Sequence, residues 1–401
     1  MRAARLLVAA LLASGTTLAV EPSLAPDRAT LKKLETLAPN AAVRLGNARV
    51  VGDFNDVARE YRLDKTGPRG RDYSTKMVWA PERNRALFLG ANHAVPHRLN
   101  DVWEFDLGAL TWVMLYAPDH SRGYQDLGKD ASDVEVRDGW LVTERGGPAV
   151  IGHTWWQLTY DPVRREALFM NTWVTNQKKA VEALGGNPAD LYTGPPLWAF
   201  SPETRRWRAI PTPQPWPKTS FASLFEYIPE LDGAIWHTNN FKMKATWRYD
   251  AGANTWRNLD ASGFPDNAPK PEQVAYYDAK RGIVVAQRHH DTFHFDVRRR
   301  EWRKVLTGTA ENAPYGHDAS GPMTFDPHHG HGLLLDKKTD TLWAYDPDAR
   351  AWSRLAPRGD PMPTGKKRLF YFDPAHRVFV VIKDTEVWAY RYAPATRAAS
   401  R

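Results

Sequence analysis

The chain contains no cysteine, which removes disulfides, thiolate zinc sites, iron–sulfur clusters and a lipidated cysteine anchor from consideration. In an exported protein that absence fits a bacterial periplasmic or extracellular setting. Long apolar runs are also missing. Beyond the N-terminus nothing approaches the roughly 18 apolar residues that a spanning helix needs, so no membrane span is expected. The chain has no phosphate-cradling glycine loop, no HExxH pair and no nucleophile elbow. Carboxylates on long connections, as in QDLGKDASDVEV, are numerous but unpatterned, so spacing nominates no glycosidase pair.

What is present begins with a secretory pattern. Arg2 and Arg5 precede the short apolar core LLVAALLASG, and TLA places a small residue before a cut after Ala19. Residues 1–19 are therefore expected to be a cleavable signal peptide, making the protein secreted or periplasmic. The formal charge is +8, of which Arg2 and Arg5 supply two, leaving +6. Export argues against a nucleic-acid partner. An acidic polysaccharide or an anionic envelope surface fits the charge better.

Five stretches repeat one sentence: NDVWEFDLGALTWVML (100–115), PPLWAFSPETRRWRAI (195–210), KATWRYDAGANTWRNL (244–259), HDTFHFDVRRREWRKV (290–305) and DTLWAYDPDARAWSRL (340–355). The aromatic pairs Trp103/Trp112, Trp198/Trp207, Trp247/Trp256, Phe293/Trp302 and Trp343/Trp352 are all nine apart. Each member sits on a run of β-formers, and a turn rich in Pro, Asp, Gly and Asn separates the two, which is a hairpin pattern. Upstream of each lies another hairpin, with an aromatic before a turn that often carries Asp-Pro: Trp79, Tyr160, Tyr227, Tyr277, Phe325 and Phe372. Four short strands per unit predict an all-β fold, a six-bladed β-propeller of four-stranded blades. The wide intervals between the first three aromatics reflect long connections at 113–153 and 171–196 rather than a further blade. The sixth unit has Trp388 but Arg397 nine positions on, so its outer strand is missing. Leu31/Leu34 stand in the outer-strand phase, which predicts that an N-terminal strand there closes the ring and covers its edge. The expected organisation is a signal peptide (1–19), an N-terminal segment with the closing strand (20–72) and the propeller (73–401).

Over roughly residues 73–392 these hairpins resemble the kelch-repeat propellers, the superfamily of galactose oxidase and sialic acid mutarotases. The chain departs from that pattern where a glycine doublet ends the second strand: only Gly90 remains, and elsewhere the positions read MNT, WHT, AQR and DKK. Galactose-oxidase chemistry, as the resemblance implies it, needs a tyrosine–cysteine cross-link, and this chain has no cysteine. The repeated tryptophans read as packing between blades.

Strand order sorts the loops. Links from strand one to two and from three to four share one face and are tight. Links from two to three and between blades share the other face and carry every long insertion, so that face is the expected binding surface. His93, His97, His120, His153, His237, His289, His290 and His317 fall on it or on strand starts that open onto it. His328, His329, His331 and His376 fall on the tight face, where the HHGH run reads as a solvated turn, so no metal ligand is assigned. Trp155, Trp156, Tyr124, Trp173, Trp216 and Tyr315 accompany the first group, with Arg288, Asn171, Asn239, Asn240, Lys242 and Lys244.

Aromatic faces stack on a pyranose, while amides and guanidinium forks take hydroxyls and anions. The reading is thus a carbohydrate-recognising propeller whose sugar is anionic. Its catalytic form would be non-redox chemistry of the lyase or epimerase/mutarotase type. The expected catalytic groups are His153, His93, His97, His289, Tyr124 and Arg288; the expected binding groups are Trp155, Asn171, Asn239, Asn240, Lys242, His290 and His317. A non-catalytic scaffold for a protein partner and a metal-dependent oxidoreductase are the competing classes. The sequence identifies no cofactor.

Overall fold

A computed structural model describes residues 24–71, 73–90, 99–122, 126–172, 174, 176–240, 243–264, 272–317 and 321–394. Six sheets of antiparallel strands form the blades of a six-bladed β-propeller. Blade one is Val78–Ala80, Arg85–Leu89, Val102–Asp106 and Thr111–Tyr116, and blade two is Leu158–Asp161, Glu166–Met170, Leu197–Ser201 and Arg206–Ala209. Blade three runs Leu224–Ile228, Gly233–Asn240, Met243–Asp250 and Thr255–Asn258; blade four runs Val274–Asp278, Ile283–Arg288, Asp291–Asp296 and Glu301–Leu306. Blade five is Met323–Asp326, His331–Asp336, Thr341–Asp346 and Ala351–Leu355. Blade six has three strands from the C-terminal end, Leu369–Asp373, Val378–Lys383 and Glu386–Arg391. No helix among the described residues is long and apolar enough to cross a membrane.

The hairpin repeat has a more specific packing rule than the nine-residue spacing implies. Each outer-strand tryptophan lies directly across from the aromatic seven positions earlier: Phe105↔Trp112, Phe200↔Trp207, Tyr249↔Trp256, Phe295↔Trp302 and Tyr345↔Trp352. Their ring centroids are 4.9–5.3 Å apart, within the range of favourable aromatic pairing. In blades one and two the third-strand tryptophan stands beside this pair: Trp103 meets Trp112 edge-on at 6.4 Å and Trp198 meets Trp207 edge-on at 6.3 Å. On the tight face, the aspartate that closes the first strand is buried at Asp161, Asp278, Asp326 and Asp373. Asp161 accepts the backbone N–H of Val163 and Arg164, and Asp326 those of His328 and His329. The Asp side chain thereby fixes the turn that Asp-Pro announces in the sequence.

An N-terminal strand closes the ring, but it is not the Leu31/Leu34 segment. Arg28–Thr36 is a helix, capped where Asp27 accepts the Thr30 N–H at 2.7 Å. A three-residue leucine spacing serves a helix face as readily as the outer-strand phase, and the cap decides between them. The closing strand is Ala41–Asn47, antiparallel to Glu386–Arg391. Ala42 pairs with Tyr390 and so occupies the position held by tryptophan in the other blades. The rest of the N-terminal segment also docks. Arg49–Gly52 runs parallel to the outer strand of blade one, followed by short helices Asp56–Glu60 and Leu63–Thr66. The long connection after blade one holds an extra hairpin, Val134–Arg137 with Trp140–Thr143, and among the described residues no seventh blade.

Candidate functional site

The segments that lead into the inner strands, together with the turn at 289–290, bring a chain of aromatic and imidazole rings to the long-loop end of the central channel. Tyr73 stacks on His153 at 5.2 Å with 5° between planes, and lies 6.0 Å from His317. Trp155 meets His153 at 4.8 Å and Phe221 at 5.4 Å. Tyr315 lies 6.0 Å from His317, stacks on His289 at 5.0 Å and faces His290 edge-on at 5.4 Å. Of the expected residues, His153, Trp155, His289, His290 and His317 therefore meet. They arrive from different blades, so no local motif could have encoded the cluster.

The backbone holding these rings is unusual. Tyr73 (φ 58°), Trp155 (φ 45°) and His289 (φ 51°) are all left-handed. Bulky residues seldom adopt that region, and such strain collects at functional sites. Particular bonds enforce it. Trp155 N–H donates to the Tyr73 carbonyl at 2.6 Å, and His289 and Gly316 exchange backbone bonds at 2.8 and 2.7 Å. Gly316 has no room for a side chain, since a Cβ would sit 2.6 Å from the Gln287 carbonyl oxygen. Fully buried Gln287 donates to the carbonyls of His289 and Pro314, both at 3.0 Å, and accepts from Thr292.

Other expected residues have different surroundings. Asn171 accepts from Gly152 N–H at 2.9 Å and donates to the Val150 carbonyl at 2.8 Å, so it braces the loop that ends in His153. Arg288 is buried, stacked 5.3 Å over Phe264 and 5.1 Å over Phe293, and burial lowers its pKa from the ordinary arginine value against the pull of Asp291. Asn239 and Asn240 lie at the tip of the blade-three hairpin, paired with Lys244 and Met243. His93, His97, Tyr124 and Lys242 lie outside the described residues. Two further long-loop histidines are packing groups. His237 is buried between Phe264 and Trp302, and His120 is buried with its Nδ1 accepting from Arg122 N–H. On the opposite face, His329 pairs with Asp326 and His331 with the Tyr392 hydroxyl. Among the described residues no three His, Asp or Glu side chains converge as a metal site would need.

Sequence reasoning passed over Tyr73, Phe221, Gln287 and Lys338, whose ammonium lies 3.3 Å from the Tyr315 ring centroid and brings a cation to the cluster. Tyr73 lies just before the first blade, where a lead-in residue is expected once His153 and His317 are seen in the same position. Gln287 and Lys338 carry no pattern of their own.

On its tight-turn face the channel has a mainly apolar cavity of about 380 Å³, rimmed by the turn prolines Pro81, Pro162, Pro229, Pro327 and Pro374. Its polar groups neutralise each other: Lys76 Nζ is 2.6 Å from Glu226 Oε1, which also accepts from the Trp156 indole at 2.9 Å. Burial lowers the Lys76 pKa and raises that of Glu226, each opposed by the other's charge.

These features define a six-bladed propeller with an aromatic, histidine-rich channel mouth. No family model matches the chain, and no curated protein does. Among solved structures it is similar to TolB from Acinetobacter baumannii, with 12% identity and a TM-score of 0.41 over 74% of this chain and 56% of that one. It is also similar to an auxiliary nutrient binding protein from Bacteroides ovatus, with 8% identity and a TM-score of 0.47 over 87% of this chain and 76% of that one. The chain thus spans a little over half of the TolB structure.

Proposed function

We propose that this protein is a secreted or periplasmic propeller that recognises an acidic saccharide at the long-loop mouth of its channel. The observation that carries the reading is the convergence of His153, His289, His317, Tyr73, Tyr315 and Trp155 on strained, bonded backbone. Stacking rings suit the apolar face of a pyranose, imidazole and phenol suit its hydroxyls, and the Lys338 ammonium suits a carboxylate or sulfate. The same groups support non-redox proton transfer on a uronate. A cation beside the carboxylate acidifies the neighbouring C–H, and a His or Tyr takes or returns the proton.

A glycan array probed with the full chain tests the reading, followed by incubation of each hit while watching for the ultraviolet absorbance of an unsaturated uronate. Acidic glycans should bind. His153→Ala should weaken them by about 1–3 kcal/mol, the loss of a buried hydrogen bond or ring contact, whereas the His328→Ala/His329→Ala pair should not. An array without acidic hits returns the lead to a protein-binding scaffold. Equal losses from both faces would mean general destabilisation.

A further inference from the structure

We propose that the cavity between the two long insertions is a second saccharide subsite for an uncharged pyranose, so that the ligand is an oligosaccharide placing an acidic ring at the mouth and a neutral ring beside it. This rests on the reading of the mouth as a carbohydrate site. The cavity measures about 210 Å³, room for one ring, and none of its lining side chains is charged. Gln177 and Thr219 supply an amide and a hydroxyl beside the already bonded Asn171 and Thr172 side chains, while Trp140 and Tyr192 supply aromatic wall. Neutral donors and acceptors pair with sugar hydroxyls; a carboxylate placed there would be desolvated without a counter-charge.

The cavity has an ordered frame. The hairpin Val134–Arg137/Trp140–Thr143 and the helix Gln177–Ala183 belong to no blade, yet they share a small core of Leu127, Val134, Leu141, Val150, Ala180 and Val181. Trp140 stacks on Tyr192 at 4.8 Å, and the Tyr192 hydroxyl accepts from Thr212 N–H at 3.0 Å. The insertions touch at Gly139 (φ +81°), where a Cβ would lie 2.9 Å from the Asp190 carbonyl oxygen. Ordering such loops costs conformational entropy, and what the ordering produces is this cavity. Trp140 is 8% exposed and its indole N–H has no acceptor among the described residues, a donor that a ligand or water must satisfy.

The cavity adjoins the mouth. Asn171 and Val150 line it, and the same Asn171 side chain binds the N–H of Gly152, the residue before His153. The proposal places the neighbouring ring of a saccharide seated on His153 against this wall.

Calorimetric titration of the full chain with a mixed uronate–neutral hexose disaccharide and a pure uronate disaccharide tests the subsite. The intact protein should prefer the mixed ligand by roughly tenfold, the worth of one or two buried hydrogen bonds. Gln177→Ala, on a half-exposed helix start, and Trp140→Phe, which keeps an aromatic face but not the indole N–H, should each reduce that preference to about threefold or less. Both should retain affinity for the pure uronate, with melting curves confirming the fold, and His153→Ala should weaken both ligands. A missing preference in the intact protein, or one unchanged in both variants, overturns the subsite and leaves the mouth standing. No binding of either ligand overturns the mouth reading and the subsite with it.

Discussion

The indole N–H of Trp302 in blade four donates to the Thr246 hydroxyl in blade three at 3.0 Å. Trp352 of blade five does the same to Thr292 of blade four at 2.9 Å, and Trp207 of blade two reaches the Asn100 carbonyl beside blade one at 3.3 Å. Outer-strand tryptophans therefore fasten each of these blades to the one before it, beyond the area they bury. Thr292→Val should leave the buried Trp352 indole unpaired and lower stability by about 1–3 kcal/mol, read as a lower urea midpoint. Trp352→Phe/Thr292→Val together should cost less than the sum of the two single changes; full additivity would mean that the bond contributes nothing.

The Thr246 hydroxyl also lies 2.9 Å from His237 Nδ1. Burial, and then the charge of Arg288, bring His237 down to a pKa of about 3 from the 6.5 of a free imidazole. Between those values the unfolded chain binds a proton that the folded chain refuses. The stabilisation is complete above pH ~6.5 and falls as the pH drops, by up to about 1.4 kcal/mol per unit. Buried His120, at about 4 for the same cause, adds to the slope. Unfolding of the protein and of His237→Asn at pH 7 and pH 4.5 should show a smaller acid loss in the variant, and equal losses would contradict the assignment.

Ala42 is 3% exposed and stands across from Tyr390 in the closing strand. Ala42→Asp should place an unpaired charge there, cost about 3 kcal/mol or more and bare the Glu386–Arg391 edge to other chains. Light scattering should then detect oligomers. Leu31→Ala, on the half-exposed helix, should cost less than about 1 kcal/mol and leave the scattering of the intact protein unchanged.

For the channel pair, Lys76→Met alone strands the Glu226 carboxylate in a buried position and should cost about 3–5 kcal/mol. Adding Glu226→Gln should recover most of that loss in chemical denaturation. A double variant no more stable than the single one would show that the two groups act independently.

The sequence made the blade count and strand order legible because each blade restates an aromatic pair on β-forming runs, and Asp-Pro marks the turns. It failed at Leu31/Leu34, where helix and strand spacings coincide and a cap decided, and at Ala42, where closure uses a residue too small to carry the repeat. For the candidate site, strand order sorted the histidines by face but not by partner. His153, His289 and His317 meet through Tyr73 and Tyr315, contacts made between blades. His237, within the second strand of blade three, instead turns into a hydrophobic core beside Phe264.

Blade six joins Ala41–Asn47 to Glu386–Arg391, from opposite ends of the chain. A ribosome delivers the first of these segments long before the second. Blades two to five are each contiguous in sequence and can zip locally, whereas the ring itself must wait for the final strands. Circularisation is therefore a late and slow event governed by long-range contact. Chains stopped before residue 386 should remain open and protease-sensitive while keeping local β-structure, which limited proteolysis of stalled nascent chains would reveal.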